Sequence, residues 1–214
     1  MIRLYNSQDS GNSYKIRLLL TQLQVPFERI DIDLIAGETA QPRFRARNPL
    51  GQTPFVELDD GRVLAESTAI LWHLAEGTPF LPDDRWMRAQ ILQWMSFEQY
   101  RIEPNIGTPR FWITMLRLGE ERRAAIAEKL KSGNAALAIL EAHLARTAFV
   151  VGSRYTIADI ALFAYGHVAE EAGYDLAPYP ALRQWFARVQ AEPRHAPITA
   201  ELGRAIPWPE VPQP

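Results

Sequence analysis

Residues 51–70 leave few options for the chain around them. Asp60-Gly61 stands between the runs Phe55-Val56-Glu57-Leu58 and Arg62-Val63-Leu64-Ala65. A pair of that kind between alternating apolar runs is a strong hairpin signal. Pro54 opens the first strand, a position that needs no ladder donor. An X-Pro bond there can take the cis form at modest cost. Glu66-Ser67-Thr68-Ala69-Ile70 then begins a helix. A hairpin is marginal alone and requires a sheet to join.

The preceding residues supply that sheet. Ile2-Arg3-Leu4-Tyr5 reads as a strand, residues 6–12 as a polar loop, and residues 13–24 as a helix with Ile16, Leu19, Leu20 and Leu23 on one stripe. Val25-Pro26 ends that helix. Phe27 to Ile32 alternates like a second strand, which suits a right-handed crossover. The segment 36–48 is rich in Gly, Pro and Arg, with a short helix expected near 43–47. The first 76 residues therefore read β-α-β-α-β-β-α, an α/β unit whose last two strands are antiparallel.

The remainder carries helical periodicity and no strand pattern. Gly77-Thr78-Pro79-Phe80-Leu81-Pro82 has the composition of a linker. Helices are expected over 83–103, 120–146, 156–171 and 179–190, with a last short one between 193 and 205. Pro104 and Pro109 should break or kink the chain after the first of these. Thr156-Ile157-Ala158-Asp159 has the form of a capping box, with Tyr155 and Ile160 as its hydrophobic staple. The domain reading is 1–77 for the α/β unit, 78–82 for the linker, 83–205 for an all-helical bundle, and 206–214 for an extended Pro-rich tail.

Composition excludes several functions. The chain has 214 residues, 47% apolar and 22% charged, with net charge −2. That is an ordinary globular composition with no basic footprint for nucleic acid. No apolar run reaches membrane-spanning length, and no secretory h-region follows Met1, so a cytoplasmic location is expected. There is no cysteine, hence no disulfide and no protein thiolate. His73, His143, His167 and His195 lie far apart, without metal-ligand spacing, and no metal is expected. No Walker-type loop or GxGxxG occurs.

The hairpin segment has a chemical reading as well. With Thr53-Pro54 in the cis form, the Thr53 N–H and C=O can face outward and pair with an extended ligand backbone. Ser67 stands where a helix leaves its first N–H groups unpaired, an end that favours an anion. Glu66 beside it can accept from an ammonium. Together they fit an α-amino acid head, although Ser67 also fits a simple helix cap and Glu66 a macrodipole partner.

Taken in order and spacing, Asn48-Pro49-Leu50-Gly51-Gln52-Thr53-Pro54, Glu66-Ser67-Thr68-Ala69-Ile70 and the box at 156–159 resemble the cytosolic glutathione transferases over essentially the whole chain. The resemblance implies a thioredoxin-like N-terminal domain and an all-helical C-terminal domain. It implies a hydroxyl just after the first strand, here Ser10, with Ser13 and Asn12 as alternatives. This looks like the serine type found in theta, phi and zeta classes, in a bacterial-style member. Ser10 would donate to the glutathione sulfur. A thiol near pKa 8.5 is only a few per cent ionised at neutral pH, and lowering it by about two units takes roughly 2.7 kcal/mol. Thr53, followed by Pro54, would pair with the cysteinyl unit. Glu66 and Ser67 would hold the γ-glutamyl head, and Gln52 would reach the glycyl side.

The pattern departs from the family where a His or Lys often meets the glycyl carboxylate. Thr39 and Ala40 stand there instead, so either Arg43, Arg45 or Arg47 substitutes or the contact is absent. The family likeness places a hydrophobic electrophile near Asn6, Ser7, Tyr100, Phe111 and Trp112. It implies a homodimer, a detoxifying transferase, and glutathione as co-substrate. Isomerisation or dehalogenation with glutathione, and a non-catalytic binding or dimerisation module, are the alternatives. The Ser-Ser-Cys-Ser run of zeta-like isomerases is replaced by Ser10-Gly11-Asn12-Ser13. Lack of cysteine disfavours cysteine-dependent members such as glutathione–disulfide oxidoreductases.

Overall fold

The computed structural model describes residues 1–209. The chain divides into two compact units: Met1–Leu74 together with the segment from Ala196 onward, and Ala75–His195.

The first unit is built on a mixed five-stranded sheet. Its strands are β1 (Ile2–Asn6), β2 (Phe27–Asp31), β3 (Phe55–Glu57), β4 (Val63–Ala65) and β5 (Arg204–Ala205), in the order β4-β3-β1-β2-β5. β1 and β2 run parallel, joined through α1 (Gly11–Gln22). β3 and β4 form the antiparallel hairpin expected around Asp60-Gly61. Two short helices complete the unit, α2 (Pro42–Arg45) and α3 (Ser67–Ala75). This is the thioredoxin-like arrangement.

Register explains one face of the sheet. Glu57, Arg3, Glu28 and Arg204 are successive cross-strand partners. They form a row of alternating charge, with Arg3 at 3.1 Å from Glu28 and 3.0 Å from Glu57, and Arg204 also paired to Glu28. Opposite charges directly across strands support that register. Two residues along, the same face turns apolar. Tyr5 stacks on Phe55 at 3.9 Å, and Phe44 of α2 meets Phe55 edge-on at 5.3 Å.

The end of the chain differs from expectation. No helix forms between 193 and 205. The segment from Ala196 crosses to the sheet unit, and β5 pairs in parallel with β2. The Ile206 N–H donates to the Arg29 C=O at 2.9 Å. The Gln8 amide donates to the carbonyls of Ile198 and Ala200, and the Tyr14 hydroxyl to that of Ala196 at 2.7 Å. Trp208 packs against Tyr5 with ring centroids 5.1 Å apart. The physical reason is twofold. Pro193, Pro197 and Pro207 deny a helix its donors, while the outer edge of β2 offers unpaired backbone groups. Gly203 has φ +80°, and a Cβ there would lie 2.3 Å from the Phe27 ring, so the approach requires glycine. The helical unit thus stops at His195 rather than 205. Of the expected tail, residues 206–209 pack on the sheet unit and 210–214 lie outside the described residues.

The second unit is helical, with α4 (Arg85–Phe97), α5 (Thr108–Arg110), α6 (Arg123–Leu144), α7 (Ile157–Gly166) and α8 (Pro180–Gln190). Asp84 caps α4 by accepting from the Met87 N–H at 2.7 Å. Pro104 does not break the chain as expected. Glu98–Gly107 winds as a π-helix through Pro104, Pro109 falls in α5, and Phe111–Met115 is π-helical again. The wider turn accommodates a ring and a missing N–H that a regular α-helix rejects.

The capping box forms. Asp159 accepts from the Thr156 N–H at 2.9 Å, and Thr156 accepts from the Ala158 N–H at 3.3 Å. The other Asp159 oxygen accepts from the Val150 N–H and from the Trp185 indole, both at 2.9 Å. All of α7 is buried, so this carboxylate anchors the central helix of the unit.

Candidate functional site

The loop after β1 opens the site. α1 begins at Gly11, two residues earlier than its apolar stripe indicates, and Ser10 is its N-cap. The Ser10 Oγ accepts from the Ser13 N–H at 3.3 Å. That bond occupies an oxygen lone pair and leaves the hydroxyl proton to donate elsewhere, beside the positive end of a helix. Ser10 is half-buried. Ser13 is fully buried, and its Oγ accepts from the Ser7 N–H at 3.1 Å. Of the two serines, only Ser10 has exposed surface with which to meet a ligand.

Arg17 fixes that loop from beneath. Its guanidinium donates to the Asn6 carboxamide oxygen at 2.5 Å, to the Gln8 C=O at 2.9 Å and to the Ile198 C=O at 2.8 Å. Burial, then the nearby Arg29, lowers its pKa to about 10, and it stays a cation at neutral pH. The Asn6 amide also donates to Asp31 at 2.6 Å. Asn6 has no exposed surface and Ser7 only 5%. Both were expected to line an electrophile pocket. They are instead internal struts of the loop, drawn inward because Arg17 needs acceptors.

The hairpin brings the second part of the site to the same end of the sheet. The Thr53-Pro54 bond is cis. The β1–β3 and β3–β4 ladders both end at Phe55, paired with Tyr5 and Ala65. Thr53 therefore stands beyond both ladders, and continuing the two registers sets it opposite Ser7 and Ser67. Its N–H and C=O lie outside the sheet's hydrogen bonding. Asn48, 2% exposed, shapes the approach: its amide donates to the Gln52 C=O at 2.8 Å and its oxygen accepts from the Leu50 N–H at 3.2 Å. Gly51 has φ +66°. Gln52 is exposed on this loop.

Glu66 and Ser67 follow β4. Glu66 holds φ +69°, a left-handed conformation that costs about 1 kcal/mol or more for such a residue. Its C=O accepts from the Ile70 N–H at 2.9 Å. Glu66 is thus the capping position of α3, and its carboxylate is exposed. Ser67 is the first helical residue, not the cap, and is 5% exposed. Its hydroxyl donates to the Asn12 oxygen at 3.1 Å, which ties α3 to the first turn of α1. Ser10, Asn12, Thr53, Glu66 and Ser67 are therefore gathered at one edge of one unit.

Thr39 and Ala40 form part of a 3₁₀ turn, Glu38–Ala40, and bring no charge. The three nearby arginines have separate tasks. Arg47 donates to the Tyr5 hydroxyl at 2.7 Å and pairs with Glu57. Arg43 pairs with Glu38 at 3.2 Å and lies 4.8 Å over the Trp208 ring. Arg45 donates to the Pro49 C=O at 2.7 Å and rests on Gly51, where a Cβ would come within 2.2 Å of its guanidinium carbon. Only Arg45 carries its charge to the residue beside Gln52.

Tyr100, Phe111 and Trp112 belong to the helical unit. Tyr100 is 79% exposed. Phe111 and Trp112 are half-buried on the second π-helical stretch, with Arg122 lying 4.6 Å over the Trp112 ring. Among the described residues no group of three or more His, Asp or Glu side chains could hold a metal ion. No described helix is long and apolar enough to cross a membrane.

Sequence reasoning missed Lys15 and the segment from Ala196. Lys15 is fully buried within α1, and its ammonium donates to the Asn12 oxygen at 2.8 Å. A lysine between Tyr14 and Ile16 carries no local signal of that placement.

A thioredoxin-like unit with a cis-proline beside an exposed glutamate and a buried serine at a helix start, and a separate helical unit, are the features of the glutathione transferase class. Family models agree: residues 9–76 match the glutathione S-transferase N-terminal domain and residues 123–188 the glutathione S-transferase C-terminal domain. The chain is 32% identical to glutathione S-transferase 3 of Zea mays, over 99% of this chain and 97% of that one. It is similar to the crystal structure of a glutathione S-transferase from Pseudomonas fluorescens Pf-5, with 46% identity, TM-score 0.91, and coverage of 93% of this chain and 99% of that one. A glutathione transferase family member from the same organism, solved with two glutathione bound, is 26% identical with TM-score 0.77, over 90% and 89% of the two chains. The chain belongs to the cytosolic glutathione transferase family.

Proposed function

We propose that this protein is a serine-type glutathione transferase that converts the glutathione thiol to thiolate and directs it at a hydrophobic electrophile. Ser10 carries the reading. With the Ser13 N–H already on its oxygen, the hydroxyl is left to donate to sulfur. A hydrogen bond to the charged form and the α1 N-terminus both favour thiolate. The serine is not the nucleophile and needs no base. The thiolate forms the S–C bond and the leaving group departs with its electron pair.

The remaining contacts hold the tripeptide. Thr53 offers its free backbone pair to the cysteinyl unit. Glu66 accepts from the γ-glutamyl ammonium, and the first N–H groups of α3, beginning with that of Ser67, receive the carboxylate while the Ser67 hydroxyl stays on Asn12. Gln52 and Arg45 meet the glycyl end, so Arg45 takes the place of the missing His or Lys. Tyr100, Phe111 and Trp112 are the aromatic candidates for the electrophile. The family likeness extends the proposal to a cytoplasmic homodimer.

Titration calorimetry with glutathione at millimolar concentration tests this reading. Saturable heat is expected, together with conjugation of an activated aryl halide. Absence of binding would remove the proposal. Binding without any shift of the thiol pKa would leave a binding module in place of an enzyme.

A further inference from the structure

We propose that Lys15 is a positioning residue for the γ-glutamyl carboxylate, acting through Asn12 on Ser67. The inference rests on the glutathione reading above and adds to it a cation inside α1.

One oxygen carries the argument. The Asn12 carboxamide oxygen accepts from the Lys15 ammonium at 2.8 Å and from the Ser67 hydroxyl at 3.1 Å. The two donors come from different helices, and one of them is charged. Lys15 has no exposed surface and Ser67 only 5%. An ammonium placed in the interior loses its hydration, a cost an apolar side chain of similar length would avoid. α1 also buries Ile16, Leu18, Leu19 and Leu20 fully, and its other buried cation, Arg17, is turned to the loop after β1. A cation set among them, one carboxamide away from the first residue of α3, is placed where an anion at that helix end would benefit.

Two effects follow. A lysine can only donate, so its ammonium forces the Asn12 oxygen inward. The reversed amide would set its own N–H groups against the cation. That fixed acceptor takes the one Ser67 hydroxyl proton and so holds the first turn of α3 in place, leaving its backbone N–H groups to the carboxylate. The Lys15 charge also reaches the carboxylate site from the protein side, where the low dielectric screens it less than water would. Ser10, on the outer side of the same helix turn, is left to act on sulfur. Lys15 should therefore govern how the amino-acid head is held and leave thiol ionisation alone.

The test pairs two ligands with Lys15→Met, which keeps side-chain length and removes the charge. The ligands are glutathione and 4-aminobutyryl-cysteinylglycine, which lacks only the α-carboxylate. Lys15→Met should weaken glutathione binding by roughly tenfold, the usual scale for a charged hydrogen-bond partner. It should change binding of the decarboxylated analogue little, and it should leave the pKa of the bound thiol at its wild-type value. Lys15→Arg should recover most of the glutathione affinity. If circular dichroism shows Lys15→Met unfolded, Asn12→Ala carries the same comparison. An equal loss for both ligands, or no loss for either, overturns the role of Lys15. Failure of the wild-type protein to bind glutathione at all overturns the parent reading and this one with it.

Discussion

Replacing Asp159 by alanine should be the most damaging single change in the helical unit. The carboxylate is fully buried and accepts from the Val150 N–H, the Thr156 N–H and the Trp185 indole, each at 2.9 Å, and from the Thr156 hydroxyl at 3.1 Å. The hydroxyl can rotate to another acceptor, but the three N–H groups cannot. Each buried donor left without an acceptor costs about 1–3 kcal/mol. After partial relaxation the loss should be about 3–6 kcal/mol, comparable with the whole stability of many domains. Asp159→Asn keeps one acceptor for Val150 and Trp185 but turns an amide toward the Thr156 N–H, so about half that loss is expected.

The same site gives a pH signature. Burial raises the Asp159 carboxyl from 3.8 to about 6, against the hydrogen bonds from Val150, Trp185 and Thr156 that favour the anion. Its folded pKa lies above the unfolded one, so the native state holds more protons between them. The associated stability is present below pH 3.8 and is lost as pH rises through 6, by about 3 kcal/mol. Asn at this position cannot titrate. Urea unfolding of wild type and Asp159→Asn between pH 4 and 7, followed by tryptophan fluorescence, isolates this contribution as a difference. Other carboxylates run the opposite way and cancel in it. An alanine variant within about 1 kcal/mol of wild type, or a difference that does not change with pH, would refute the reasoning.

Two further changes test particular contacts. Arg45→Ala should weaken glutathione about tenfold, as for loss of a charged hydrogen bond, while γ-glutamylcysteine, which has no glycyl end, should bind both proteins alike in calorimetry. Gly133→Ala should destabilise the helical unit by about 2 kcal/mol in chemical denaturation although alanine is the better helix former by about 1 kcal/mol. The added Cβ would fall 2.0 Å from the Tyr174 hydroxyl, which is held by the carbonyls of Asn105 at 2.6 Å and Lys129 at 2.9 Å.

Local chemistry was legible wherever short-range rules decide. The Asp60-Gly61 turn, the run of strands around it, the Thr156–Asp159 box and the Glu66-Ser67 helix start depend on neighbours within a few residues. Features that depend on distant partners were not legible. β5 is two residues long, has no alternation to read, and exists only because β2 has an open edge. Pro104 was read by the rule for α-helices, and the chain met it with a π-helix. Lys15 and Asn6 look like surface residues by type. Each meets a partner inside the unit, the half-buried Asn12 for the first and the buried Arg17 for the second. At the candidate site, a local pattern in the sequence singles out Thr53, Glu66 and Ser67, and their gathering beside Ser10 and Asn12 comes from the fold. The family likeness already prefers Ser10 to Ser13, and the structure adds that Ser13 is fully buried and holds the Ser7 N–H whereas Ser10 keeps exposed surface. The proposal of Arg45 among three arginines rests on the structure, since Arg43 and Arg47 pair with Glu38 and Glu57.

The central claim is that Ser10 ionises the glutathione thiol. A pH titration of the ultraviolet thiolate absorbance of glutathione bound to wild type and to Ser10→Ala tests it directly. The expected midpoint lies about two units below the free thiol value near 8.5 in wild type, and rises toward that value in the variant, short of it by what the α1 N-terminus contributes. Equal midpoints for the two proteins would contradict it.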